Sequence, residues 1–178
     1  LFEAVGMKRE NIWLCDSKGL IYSGREAAAS EQARVFAQDS DKRDLQSAME
    51  GADVFIGLSI GGVVSQDMVR GMNKRPILFA MANPDPEILP EDARAAAPDA
   101  IIATGRSDFP NQINNALGSP GIFRGLLDAQ IPQVEDRHKL AAAMAIAEFV
   151  KDPKPDEIVP SIFAPGLAQA VAKAVMAA

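Results

Sequence analysis

Positions 105–118, GRSDFPNQINNALG, place four side-chain amides, Asn111, Gln112, Asn114 and Asn115, within a few residues of one another. Asparagine competes for backbone hydrogen bonds and is a mediocre helix former. A helix over residues 110–117 is nevertheless the expected structure, with Pro110 in its first turn and Ser107 or Asp108 as cap. Spacings of i, i+3 and i+4 then put Asn111, Asn114 and Asn115 on one face. Ile113, Ala116 and Leu117 supply the packing on the other side. A carboxamide donates and accepts without fixing a charge, so such a face suits a ligand that combines carboxylate, hydroxyl and carboxamide groups. The helix N-terminus would add a partial positive charge favouring an anion. The competing reading is buried amides that bond neighbouring backbone.

Two other places carry chemistry-bearing residues. GLSIG at positions 57–61 matches Gly-x-Ser-x-Gly, the nucleophile elbow of α/β hydrolases, and Ser59, Asp108 and the single histidine, His138, follow in hydrolase order. Against that stands the setting of His138, in a charged helix start where a surface position is expected. A glycine-rich turn that lets backbone approach a ligand is the alternative. Asp16 ends an apolar run, NIWLCD; in a dinucleotide-binding fold an acid at that place takes the adenosine ribose hydroxyls, while Ser17 and Lys18 beside it could accept a 2′-phosphate. The plain alternative is an acid that caps a turn.

The elements that must position these residues follow from pattern. Apolar runs at 11–16, 54–58, 76–81 and 100–103 are predicted strands buried on both faces, and helices are predicted at 31–38, 45–49 and about 64–72. After about residue 109 the pattern turns helical, at 110–117, 122–129, 135–150 and from 166, with the proline-rich connector KDPKPDEIVPSIFAPG before the last helix. Strands alternating with helices predict an α/β fold: an open, mostly parallel sheet with helices on both faces and a helical C-terminal part. The division falls at about 1–108 and 109–178. Ligands of such sheets bind beyond the carboxyl ends of the strands, so residues 16–18, 57–59, 82–84 and 104–106 are expected to converge.

Bulk properties narrow the classes. The chain has 178 residues, 48% hydrophobic and 24% charged, with a net charge of −6, and no basic stripe points to nucleic acid or an anionic membrane surface. A single cysteine, Cys15, excludes an internal disulfide and fits a reducing, cytoplasmic setting. No apolar run reaches the length of a membrane span. The opening LFEAVG reads as the last turn of a helix closed by Gly6. A fragment truncated at its N-terminus is therefore expected.

CDSKGLIYSGR, GADVFIGLS, PILFAMANPDPEI, IIATGRSDFPNQINN, FRGLLDA and IVPSIFAPGLAQAVAKAV follow one another across the whole chain. In this order and spacing the sequence resembles the C-terminal NAD(P)-binding domain of malic enzymes, the bacterial type most, which implies a Rossmann-type domain. The resemblance implies metal-dependent oxidative decarboxylation of L-malate to pyruvate, with NAD or NADP and a Mg or Mn ion. It implies cofactor binding by Asp16, Ser17, Lys18, Ser59, Asn83 and Asn114, and substrate binding by Asn83, Asn114 and Asn115. Ser59 would line the cofactor and serve as no nucleophile. The family's catalytic Lys and Tyr, its metal ligands and its phosphate loop belong upstream of Leu1. No catalytic or metal-ligating residue is therefore expected here, Tyr22 does not match the catalytic tyrosine, and the isolated chain is expected to be inactive. A homo-oligomer is implied as well. Ser119 and Gly121 stand where the family carries bulkier residues, so looser packing is expected behind the amide helix. The alternatives are a malolactic or other 2-hydroxy-acid enzyme of the same fold, or a serine hydrolase using Ser59.

Overall fold

Backbone pairing near the N-terminus is local. The computed structural model describes residues 1–25 and 30–178. A 3-10 turn, Glu3–Val5, is closed by Gly6 in the left-handed conformation, whose N–H donates to the Glu3 carbonyl, as LFEAVG predicts. Strand β1 (Cys15–Asp16) pairs antiparallel with β2 (Gly19–Leu20) in a tight hairpin. The buried strand expected over 11–16 is therefore two residues long and lies outside the main sheet, with Trp13 and Leu14 exposed. The reason is competition for its carbonyls: Leu14 accepts from Ile21 N–H, and Ile12 accepts from the Gln38 side-chain amide. Helix α1 (Glu31–Arg34) stops short of the predicted 31–38, because Gln38 bonds through its backbone to Ile21 and Ser23. Helix α2 (Leu45–Met49) forms where expected, with Asp44 and Ser47 bonding each other's backbone N–H.

The main sheet comprises β3 (Val54–Gly57), β4 (Ile77–Ala80) and β5 (Ile101–Thr104), parallel and in that order. Gly57, Ala80 and Thr104 lie in one row across it. Helices α3 (Gln66–Arg70) and α4 (Pro90–Ala96) are the crossovers. Both pack on one face, where Phe55, Leu78, Ala80 and Ile102 meet Val69 and Ala93 in a continuous apolar cluster. On the other face cover grows from β3 towards β5: Ile56 is 36% exposed and its row-mate Ala103 0%. This is the α/β class expected. Helix α4 was not singled out from sequence, although Pro90, Glu91 and Asp92 form an ordinary helix start.

Beyond β5 the chain builds a helical unit from α5 (Ser119–Asp128), α6 (Asp136–Ala147) and α7 (Leu167–Ala177). Its core joins Leu117, Leu126, Ala142, Leu167, Val171 and Val175. Gly121 corrects the expectation of loose packing. A Cβ there would lie 2.5 Å from Val171 Cβ and 2.8 Å from the Ala168 carbonyl oxygen. The small residue is thus what allows α5 to approach α7 closely. His138 is likewise no surface residue: it is fully buried in the first turn of α6, where its Nδ1 accepts from Glu135 N–H. Among the described residues no helix is long and apolar enough to cross a membrane.

Candidate functional site

Each strand of the parallel sheet leads into a loop at its carboxyl end, and two of these loops enclose a cleft of about 680 Å³. Ser59 from the turn after β3 and Asn83 from the loop after β4 both line it, and both are exposed. Asp85, Glu87 and Asp92 supply its other polar side chains, and no Lys or Arg is among the residues lining it. The turn after β3 is stitched to the loop after β4 by backbone: Gly62 N–H donates to Pro86 and Val64 N–H to Glu87. Glu87, fully buried, adds side-chain links, accepting from Ser59 N–H at 2.8 Å and from Ala82 N–H at 3.0 Å. Sequence reasoning missed Glu87, since an acid among prolines and aspartates gives no sign of burial.

The loop after β5 bonds the loop after β4. Arg106 grips Asp108 in a two-pronged ion pair, with contacts of 2.8 and 2.6 Å, and reaches the Pro84 carbonyl at 3.4 Å and Asp85 at 3.6 Å. Arg106 holds the Asp108 carboxyl below the usual carboxylate range. These facts dispose of a hydrolase triad. Asp108 is committed to Arg106, His138 is buried in α6 with Nδ1 capping a backbone N–H, and the Ser59 hydroxyl faces Glu87 at 3.4 Å. Cys15 is no nucleophile at neutral pH either, because burial, with Asp16 beside it, pushes its thiol up to about 11.

The amide stretch forms no helix over 110–114, and its three asparagines do three different things. Asn111 has a φ of 54°, the left-handed region that asparagine tolerates better than most residues. It is buried and bonds only backbone, donating to Ile102 at 2.9 Å and Pro155 at 2.7 Å and accepting from Ile158 N–H at 2.9 Å. Gln112 is bridged to Thr104, extending the end of β5. Asn114 caps a 3-10 turn, Asn115–Leu117, through Ala116 N–H and donates to the Gly105 carbonyl at 3.3 Å. Asn115 is exposed. The shared helical face predicted for Asn111, Asn114 and Asn115 does not exist: left-handed backbone at Asn111 breaks the helix before it starts, and for that residue the buried reading holds.

Asp16, Ser17 and Lys18 form the β1–β2 turn and do not line the cleft. The Asp16 carboxylate is occupied: Arg25 Nη2 donates to both oxygens, at 2.7 and 2.9 Å, and Lys18 N–H to one of them at 2.8 Å. Burial alone would raise its pKa, but the bonds from Arg25 and Lys18 prevail and lower it. Arg25 is itself 6% exposed and was not foreseen from sequence.

A family model described as the malic enzyme, NAD binding domain, matches residues 5–178. The chain belongs to the malic enzyme NAD-binding domain family. It is 52% identical over 158 residues to the NADP-dependent malic enzyme of Rhizobium meliloti (strain 1021), covering 89% of this chain and 21% of that protein. It is 50% identical over 156 residues to the NAD-dependent malic enzyme of the same organism, covering 88% and 20%. A crystal structure described as a putative malic enzyme (malate oxidoreductase) superposes with a TM-score of 0.89 at 36% identity, covering 98% of this chain and 46% of that one. The chain thus spans about a fifth of the length of these curated relatives. Membership of this family fits the sheet described above and disfavours the hydrolase alternative. Among the described residues no three His, Cys, Asp or Glu come together as a group that could hold a metal ion.

Proposed function

We propose that this chain is the dinucleotide-binding part of a longer malic enzyme, in which residues of about 1–108 form the α/β part and about 109–178 the helical part. That enzyme oxidatively decarboxylates L-malate to pyruvate. The observation carrying this reading is the cleft at the carboxyl ends of β3 and β4, which Ser59 and Asn83 both line and whose lining holds no Lys or Arg. An oxidised nicotinamide carries a positive charge and a carboxamide, so carboxylate and amide neighbours suit that end of the cofactor better than its pyrophosphate. Ser59 and Asn83 bind the nicotinamide half, and Asn83 with Asn114 and Asn115 orients malate against it. A bound nicotinamide would supply the hydride acceptor that oxidation of the malate carbinol carbon needs, with the hydroxyl proton going to a base that the rest of the enzyme supplies. Catalytic Lys and Tyr residues and the ligands of a Mg or Mn ion are assigned to the rest of the enzyme, so no step is routed through them here.

Asp16, Ser17 and Lys18 take the adenosine ribose. Neutralisation of Asp16 by Arg25 weakens its repulsion of a 2′-phosphate, so either NAD or NADP can be accommodated there. The working enzyme is assigned to the cytoplasm as a homo-oligomer. In the full-length enzyme Asn115→Ala should raise the malate KM by about tenfold, the usual consequence of losing a hydrogen bond to a charged substrate. Steady-state kinetics with each dinucleotide decide this, and an unchanged kcat/KM for malate sinks the assignment of Asn115.

A further inference from the structure

Glu87 is the one fully buried acid among the described residues, and its surroundings are unusual for a carboxylate. No Lys, Arg or His pairs with it among the described ion pairs. Its oxygens are taken instead by backbone: Oε1 accepts from Ser59 N–H at 2.8 Å, with the Ser59 hydroxyl at 3.4 Å, and Oε2 accepts from Ala82 N–H at 3.0 Å. Ser59 follows β3 and Ala82 follows β4, so one side chain ties together the points at which the two loops leave the sheet. Asn83 is the next residue after Ala82. A buried carboxylate is tolerated when donors replace its lost water, and this one is held by them at both oxygens.

The chemistry is specific to glutamate. Both backbone partners are donors, so both side-chain atoms must be acceptors. A glutamine would aim its NH₂ at one of the two N–H groups and leave that donor unsatisfied in the interior. An aspartate is one methylene shorter. The neighbouring strand has yielded space to match: a Cβ on Gly57 would lie 2.3 Å from the Glu87 carboxyl carbon and 2.4 and 2.6 Å from its oxygens. Gly57 and Glu87 are therefore a complementary pair, one lacking a side chain where the other's carboxylate sits.

We infer that Glu87 is a positioning residue for the cofactor: its carboxylate fixes the spacing between Ser59 and Asn83, and hence the width of the cleft that receives the nicotinamide half. This rests on the dinucleotide-binding reading above. The test is Glu87→Gln in the full-length enzyme, read by kinetics and by amide hydrogen exchange. The dinucleotide KM should rise about tenfold or more, as for loss of a charge-assisted hydrogen bond, and by a larger factor than the malate KM, because Ser59 and Asn83 both bear on the cofactor while only Asn83 bears on malate. Exchange at the Ser59 and Ala82 amides should speed up, while Leu78 and Ile102 in the sheet keep their protection. An unchanged dinucleotide KM overturns the inference, as does equal loss of protection across the sheet, which would mark a merely structural role. Should Glu87→Gln not fold, the unaltered enzyme still decides: unprotected Ser59 and Ala82 amides overturn the clamp, and protected ones support it. If the unaltered enzyme shows no dinucleotide-dependent malate oxidation, the parent reading falls, and the positioning role falls with it. The exchange data then judge only whether the two loops are tied.

Discussion

Asn111 and Asn115 lie four positions apart and carry the same side chain, yet they belong to different parts of the molecule. Asn111 makes three backbone bonds and is buried; Asn115 is exposed. Removing the Asn111 amide strands the Ile102 and Pro155 carbonyls and the Ile158 N–H, so Asn111→Ala should lose roughly 2–4 kcal/mol of stability. Urea denaturation measures this, and the loss should come with little change in KM for either ligand. A stability change under about 0.5 kcal/mol would show the three bonds to be replaceable. The expected contrast with Asn115→Ala, which should alter kinetics and leave stability alone, separates scaffold from site. Sequence could not make this separation. It offered a ligand face or buried amides for the whole group, and the answer differs residue by residue because one asparagine adopts left-handed backbone.

At the scale of elements, the three parallel strands were legible because each is a short apolar run that ends in turn chemistry. The predicted 54–58, 76–81 and 100–103 meet the observed Val54–Gly57, Ile77–Ala80 and Ile101–Thr104 within a residue or so at most ends. The run at 11–16 looks the same on paper but pairs with no strand of the main sheet among the described residues, and forms a two-residue hairpin strand instead. Pattern identifies what can be a strand; pairing depends on what lies alongside. The α5–α7 contact shows a similar gap. Gly125 resembles a helix weakness in sequence, and its replacement by Ala would gain about 1 kcal/mol in propensity alone. A Cβ there would lie 2.6 Å from the Ala172 carbonyl oxygen and 2.9 Å from Val175 Cβ. Backbone oxygen cannot step aside as a flexible side chain can, and overpacking of this kind costs about 1–3 kcal/mol, so the contact outweighs the propensity. Gly125→Ala should therefore lower the thermal midpoint, and a raised midpoint would mean that α5 and α7 are free to separate.

For the whole molecule, the open sheet is the relevant fact. Among the described residues β3 pairs only with β4, and Val54 and Ile56 remain exposed along it. The two Rhizobium meliloti relatives are about five times as long as the matched region, which covers 21% and 20% of them. Because the catalytic residues and the metal ligands are proposed to lie in the rest of the longer enzyme, the chain on its own is expected to show no malate-dependent reduction of NAD or NADP. Detectable reduction by the purified 178-residue chain would overturn that expectation. The helical unit, by contrast, is no loose appendage. Asn111 reaches across 44 and 47 positions to bond Pro155 and Ile158, and its same amide holds Ile102 in β5. On the ribosome this order matters. The polypeptide emerges from its N-terminus, and Asn111, just past the last strand of the sheet, cannot complete its bonds until the connector before α7 has been made. The join between sheet and helical unit that Asn111 makes therefore forms late in synthesis, after the sheet's own strands are complete.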